Sequence, residues 1–269
     1  MKKILFPTDF STASQNAFIY AMKLAKDIDA KVDVVNIYSL PFADSGSMVP
    51  EYVDSMLEEK KKNVEFKLAE FTTGSHNGNL GDAKAQYGIF VYQDITDLAK
   101  LEDYDLIVMG TKGERNLFEK IMGSVTTHTM MNAPCPVLAV PEKARYTPIK
   151  SIAYATDFAP KDEPVINELV KISESIGAKV HFVHVETEPA IGDMKETIEI
   201  DKYPFETTDF ALLNRKTVME GLDTYIENKK IDLLAMFMPR RRLWERVFHR
   251  SFTKQMTFHS RTPLLVFHE

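Results

Sequence analysis

The sequence predicts an α/β protein of two tandem, doubly wound domains, and three observations predict it. Short apolar runs recur in the same order in the two halves of the chain. The runs are nearly continuous rather than alternating, as parallel strands covered on both faces require. Amphipathic stretches lie between them, and parallel strands need such crossovers.

The elements follow in order. Lys3-Ile4-Leu5-Phe6-Pro7 runs into Thr8-Asp9-Phe10, and its match Ser151-Ile152-Ala153-Tyr154-Ala155 runs into Thr156-Asp157-Phe158. Helices are expected next, over 13–28 and 163–176, then strands over 31–38 and 179–185. Asp105-Leu106-Ile107-Val108-Met109 is echoed by Asp232-Leu233-Leu234-Ala235-Met236. Pro136-Val137-Leu138-Ala139-Val140 is echoed by Pro263-Leu264-Leu265-Val266-Phe267. The polar stretch 141–148, flanked by prolines, marks the boundary, giving domains 1–145 and 146–269. The halves are unequal. A long charged helix over 51–71 precedes a third strand near 83–89. In the second half, Pro189, Gly192 and Pro204 crowd the corresponding stretch before a third strand at 208–213. Its second helix is therefore expected to be short or absent. Glu58-Glu59-Lys60-Lys61-Lys62 reads as a solvated helix face.

Composition bounds the rest. A chain of 269 residues, 44% hydrophobic and 27% charged, reads as a soluble globular protein. Its net charge of -6 gives no general attraction to nucleic acid or anionic membrane. The single cysteine, Cys135, excludes an internal disulfide, and no CxxC pattern suggests a metal. No stretch has the length of a signal peptide core or a membrane span, so a cytoplasmic location is expected.

The chain has 11 glycines and places three of them, Gly110, Gly113 and Gly123, between Met109 and Ser124. Gly110 follows a strand, and ligands of open parallel sheets bind beyond the carboxyl ends of strands where the order reverses. Absent β-carbons let backbone N–H groups approach a ligand. Gly123-Ser124 would open a short helix over 125–132, whose free N–H groups and partial positive charge suit phosphate. The bland reading stands beside this one: glycines end strands and serines cap helices in proteins that bind nothing.

Gly110-x2-Gly113-x9-Gly123-Ser124 resembles the nucleotide-binding signature of ATP-binding universal stress proteins, G-x2-G-x9-G-[S/T]. Pro7-Thr8-Asp9-Phe10-Ser11 resembles that family's first strand and turn, and the segment from Ala133 to Pro141 its last strand. The resemblance covers the chain as a tandem pair. It implies two five-stranded parallel sheets of order 3-2-1-4-5, to which the sequence adds the shortened helix 2 of the second domain. The switch point then lies between strands 1 and 4. By carry-over, Asp9 contacts ribose or adenine, with Pro7 and Thr8 lining the turn. Ile37 offers backbone contacts to adenine, and Met109 packs nearby. Gly110, Gly113, Gly123, Ser124 and Val125 hold ribose and phosphates. The implied ligand is ATP, ADP or AMP, with or without Mg²⁺. Asp9 also has a simpler reading, as the residue that orients the following helix; Asp157 stands at the same place in the second half.

The second half departs from the signature. Aligning Ser251 with Ser124 puts Phe237, Arg240 and Arg250 at the three glycine positions, so nucleotide is expected in the first domain only. The arginines from Arg240 to Arg250 read as solvated, or as receivers of another anion or an acidic partner. His181 and His184 point to opposite faces of a strand and are not a metal pair. Cys135 reads as an inert buried thiol and Met130-Met131 as core filling. The expected function is a stress-response or signalling regulator with an unnamed protein partner. A nucleotide-independent scaffold and a weak ATP hydrolase are the alternatives. No residue is an evident base for activating water, so any hydrolysis is expected to be slow. Single-domain relatives pair through their last strands, so the halves are expected to form a pseudo-dimer, Val137-Leu138-Ala139 against Leu264-Leu265-Val266. A homodimer is also compatible.

Overall fold

The apolar runs become the strands of one sheet. The computed structural model describes residues 2–40, 50–74, 78–111, 124–156, 163–187, 210–238 and 261–268. The first half runs β1 (Lys3–Pro7), α1 (Thr12–Asp27), β2 (Lys31–Tyr38), α2 (Pro50–Thr72), β3 (Leu80–Tyr87), α3 (Val91–Leu101), β4 (Leu106–Thr111), α4 (Ser124–Asn132) and β5 (Val137–Pro141). The second runs β6 (Ser151–Ala155), α5 (Glu163–Ile176), β7 (Lys179–Glu186), β8 (Phe210–Asn214), α6 (Val218–Lys229), β9 (Leu233–Phe237) and β10 (Leu264–Phe267).

The strand order is β3-β2-β1-β4-β5-β10-β9-β6-β7-β8. Each half has the expected 3-2-1-4-5 order, and all pairs within a half are parallel. The refinement is that the two five-stranded sheets are continuous. They join through antiparallel β5 and β10, with Leu138 opposite Leu265 and Val137 opposite Val266. This is the pairing that the last-strand resemblance implies. Leu138 and Leu265 occupy equivalent positions in their halves, so a pseudo-twofold axis passes between them.

Alternation in the strands divides the core into two layers. Ile4 and Phe6 face one side with Phe18, Tyr154 and Phe182. Leu5 faces the other with Ile95, Val183 and Leu222. Helix α1 begins where the Ser11 hydroxyl accepts the Ser14 N–H at 3.2 Å. It ends with Asp29 in the left-handed region at φ 52°. Ala13, Ala17, Ala21 and Ala25 recur every fourth residue along its buried side, which lets the axis lie close to the sheet.

Two boundaries differ from expectation. The third strand is Leu80–Tyr87 rather than 83–89: the Gly88 N–H makes a last ladder bond to the Tyr38 carbonyl at 3.0 Å, and the chain bends at Ile89 and Phe90 before α3. In the second half β8 is Phe210–Asn214. The shortened helix expected before it lies at 188–209, outside the described residues. The segment after β5 docks on α1: Asn16 donates to the Pro141 and Ala144 carbonyls, and the Tyr146 ring meets Tyr20 edge-on at 4.9 Å.

Candidate functional site

Strand β1 lies between β2 and β4: the chain steps outward from β1 to β2 and β3, then returns past β1 to β4 and β5. The order reverses there, and a cleft of about 420 Å³ opens beyond the carboxyl ends of the strands.

One turn builds one wall. The Thr8 N–H donates to the Val35 carbonyl at 2.8 Å, and Asn36 Nδ2 donates to the Thr8 carbonyl at 2.7 Å. Thr8 Oγ1 accepts from the Phe10 N–H at 3.0 Å and from the Ser14 hydroxyl at 2.8 Å. These bonds hold Phe10 at φ 62°, a conformation costly for a bulky residue and affordable where neighbours over-determine it. Asp9 is exposed, and its Oδ1 accepts the Ser11 N–H at 2.9 Å. Its helix-orienting role is thus present in the geometry, and its second oxygen has no partner among the described residues.

The other walls are apolar. Val35 and Ile37 come from β2, Val91 and Ile95 from α3, and Met109 from β4. Val125 and Thr126 come from the first turn of α4, whose N-terminal N–H groups have no intrahelical acceptor. Gly110 lies one residue inside β4, paired with Val140. Its lack of a side chain has a packing cause: a β-carbon there would stand 2.7 Å from the Ala13 carbonyl oxygen. The glycine lets β4 and the start of α1 touch, which the sequence alone does not reveal.

Of the residues expected at the site, the structure brings Pro7, Thr8, Asp9, Ile37, Met109, Gly110 and Val125 around this cleft. Gly113 and Gly123 lie outside the described residues, and of Ser124 only the helical backbone is described. The lining also includes Ser11, Ser14, Asn36, Val91, Ile95 and Thr126, which the sequence reading did not select. Asn36 carried a signal, a lone amide in the apolar strand Lys31-Val32-Asp33-Val34-Val35-Asn36-Ile37.

The second half keeps the turn and changes the cleft. The Thr156 N–H donates to the Val183 carbonyl at 3.1 Å, and His184 Nδ1 bonds the Thr156 carbonyl at 2.8 Å, taking the role of Asn36. Phe237 ends β9 at the position of Gly110 and packs on the core layer that faces α5. Arg240 and Arg250 lie outside the described residues. His181 meets the Tyr225 hydroxyl at 3.2 Å on the opposite face from His184. Cys135 is half-buried, and burial pushes its thiol up to about 12, which makes it a poor nucleophile at neutral pH. Among the described residues no helix is long and apolar enough to cross a membrane.

The fold defines a protein of the doubly wound α/β class, with a cleft at the switch point of its first half. The model of the universal stress protein family matches residues 1–141. The chain belongs to the universal stress protein family. It is 34% identical over 145 residues to a universal stress protein of Methanocaldococcus jannaschii, covering 52% of this chain and 81% of that relative. A second universal stress protein of that organism is 28% identical over 163 residues, covering 53% of this chain and 96% of the relative. The crystal structure of a universal stress protein from Archaeoglobus fulgidus superposes with a TM-score of 0.70 at 19% identity. It covers 98% of this chain and 97% of its own, so the fold is shared over nearly the whole length.

Proposed function

We propose that the chain is an adenine-nucleotide-binding regulator of stress response or signalling, divided at 145/146, that holds ATP, ADP or AMP in its first domain only. The observation that carries this is the cleft at the β1–β4 switch point, walled by Asp9, Ile37 and Gly110 and by the N-terminal turn of α4. The resemblance of the segment from Gly110 to Ser124 to the family's ATP-binding signature supports it. In this reading adenine lies against the apolar wall of Val35, Ile37, Val91 and Ile95. Ribose lies by Asp9, and the phosphates lie over the start of α4, with or without Mg²⁺. Efficient hydrolysis is not part of the proposal. Asp9 is the sole ionisable group among the described lining residues, and it already accepts the Ser11 N–H. The second domain, with Phe237 where Gly110 stands, serves as a built-in partner, and the protein works in the cytoplasm.

Calorimetric titration of the nucleotide-free chain with ATP, with and without Mg²⁺, tests the reading. One site per chain, lost in a folded Gly123→Val variant, is expected. No binding at millimolar ATP overturns the proposal, and two sites per chain overturn the restriction to the first domain.

A further inference from the structure

A second concavity lies beside the switch-point cleft, between the end of β2 and the inner side of α2. Its volume is about 360 Å³, within the range of small-molecule sites. Helix α2 contributes Lys60, Asn63, Val64 and Lys67, the i, i+3, i+4 and i+7 positions of one face. The end of β2 and the residue after it contribute the stretch from Asn36 to Ser39. Val64 is 5% exposed and anchors this face of α2 in the same core layer as Phe6. Phe10 supplies a further apolar side, its ring edge-on to Phe71 at 5.7 Å.

The polar groups of the concavity are of one sign. Residues 58–67 of α2 hold three carboxylates, Glu58, Glu59 and Glu65, and four lysines. Lys61 pairs with Glu65 at 3.9 Å, as on an ordinary solvated helix face. Lys60 and Lys67 instead line the concavity, and no described carboxylate lines it with them. Neither lysine makes an ion pair with a described residue. Ser39 lies past the end of β2, and its N–H finds no backbone acceptor among the described residues. The concavity therefore gathers ammonium, amide, hydroxyl and N–H groups with two positive charges and no anion to receive them. Lys60 and Lys67 are two turns apart, about 10.5 Å along the axis, a gap that two flexible lysine stems close around one phosphate. The second half does not repeat the arrangement. Aligning β1 and β2 with β6 and β7 puts Glu186 at the position of Tyr38, so a carboxylate stands where the first-half wall is neutral.

We propose that this concavity is a second ligand site, present in the first half only, which takes a phosphate monoester of a small polyol. The phosphate lies between Lys60 and Lys67, and the hydroxyl groups of the polyol lie on Asn63 and Ser39. The site adjoins the switch-point cleft through Asn36 and Ile37, which line both, but its argument does not rest on the nucleotide reading.

Calorimetric titration of the full chain with glucose 6-phosphate, glucose and inorganic phosphate tests it. Glucose 6-phosphate is expected to bind at one site per chain, about fivefold more tightly than inorganic phosphate, with glucose alone giving no binding. Lys60→Gln and Lys67→Gln each weaken the ester about fivefold while circular dichroism reports an intact fold. Lys62→Gln makes the same charge change on the same helix at a residue that does not line the concavity, and it leaves affinity unchanged. Gly123→Val, which is expected to lose ATP, retains the ester, so the two readings fail separately. Glucose binding as tight as the ester, an equal loss in Lys62→Gln, or no binding of the ester at millimolar concentration overturns the proposal. Inorganic phosphate as tight as the ester overturns the polyol part. Displacement of the ester by ATP, with ATP itself weakened in Lys60→Gln and Lys67→Gln, assigns both lysines to the nucleotide and overturns the second site.

Discussion

Replacing Gly110 by alanine separates two reasons for a glycine at the end of β4. The added β-carbon would stand 2.7 Å from the Ala13 carbonyl oxygen, 2.8 Å from the Ala13 carbonyl carbon and 3.0 Å from the Ser14 nitrogen. Favourable separation between non-bonded carbons is about 3.5–4.0 Å, so contacts this short are strongly repulsive. All three atoms are backbone, and no rotamer change relieves the overlap. Either β4 retreats or the first turn of α1 shifts, and that turn holds the Ser11 cap and the Ser14–Thr8 hydrogen bond. Overpacking of this kind costs about 1–3 kcal/mol. The lower entropy of unfolded alanine returns roughly 0.5 kcal/mol. The expected net loss is about 1.5 kcal/mol, or a fall in Tm of roughly 3–6 °C for a chain of this size. Urea unfolding followed by circular dichroism measures it. Gly177→Ala is the control: its φ of 67° disfavours alanine, but its β-carbon would meet nothing within 4 Å. It should cost about 1 kcal/mol through backbone strain alone. A Gly110→Ala protein as stable as the parent refutes the packing argument and returns the glycine to a ligand-approach role.

Three other outcomes follow from the geometry. Tyr104→Phe removes the hydroxyl that donates to Asp33 Oδ2 at 2.8 Å, and it should cost about 2 kcal/mol, read as a lower urea midpoint with unchanged slope. Glu102 is opposed by burial, but the Lys84 and Lys3 ammonium groups outweigh it and hold its carboxyl below its ordinary value. Its stabilising contribution is therefore complete above about pH 4.3, the unfolded value, and is lost as pH falls through the lower folded one. Glu102→Gln should flatten the acid limb of the stability curve, the difference from the parent vanishing at the acid end. Leu265→Ala, at a seam position 3% exposed, should cost about 2–5 kcal/mol by calorimetry.

The strands were legible because parallel, doubly covered strands are written as apolar runs, and those of Lys3–Pro7 and Leu106–Thr111 leave little else to read. The repeat made the topology legible, since each half constrains the other. The seam was legible only through family resemblance, because nothing in Val137-Leu138-Ala139 says which strand edge it meets. The site was legible in part. Asp9, Ile37 and Gly110 lie in distant segments and meet at the cleft because the strand order puts β1 beside β2 and β4. Asn36 and Ser14 were missed because they act through single hydrogen bonds set by tertiary contact. The packing duty of Gly110 was missed for a related reason. A close approach between a strand and a helix nearly a hundred residues away leaves no mark in local sequence.

The duplication supplies a way to sort structural residues from site residues without any ligand. Thr8 and Thr156 accept the same burden, each donating its N–H to the neighbouring strand and having its carbonyl bonded by the next strand's side chain. Asp105 and Asp232 each receive two N–H groups at the start of the adjacent strand, at 2.7–2.9 Å in the first half and 2.9–3.0 Å in the second. A role retained in both halves is a role in the sheet, so neither Thr8 nor Asp105 is evidence for a nucleotide. The informative positions are those where the halves diverge on a shared backbone: Asn36 against His184, Ile37 against Val185, Gly110 against Phe237. Exchanging them is the sharper experiment. Ile37→Val and Asn36→His together keep the hydrogen bond to the Thr8 carbonyl and the apolar wall, so the fold should survive with a Tm change of only a few degrees. If the first-half cleft binds adenine as proposed, the added imidazole should weaken ATP by tenfold or more. Equal ATP affinity in the exchanged and parent chains would place the determinants of binding elsewhere than on β2.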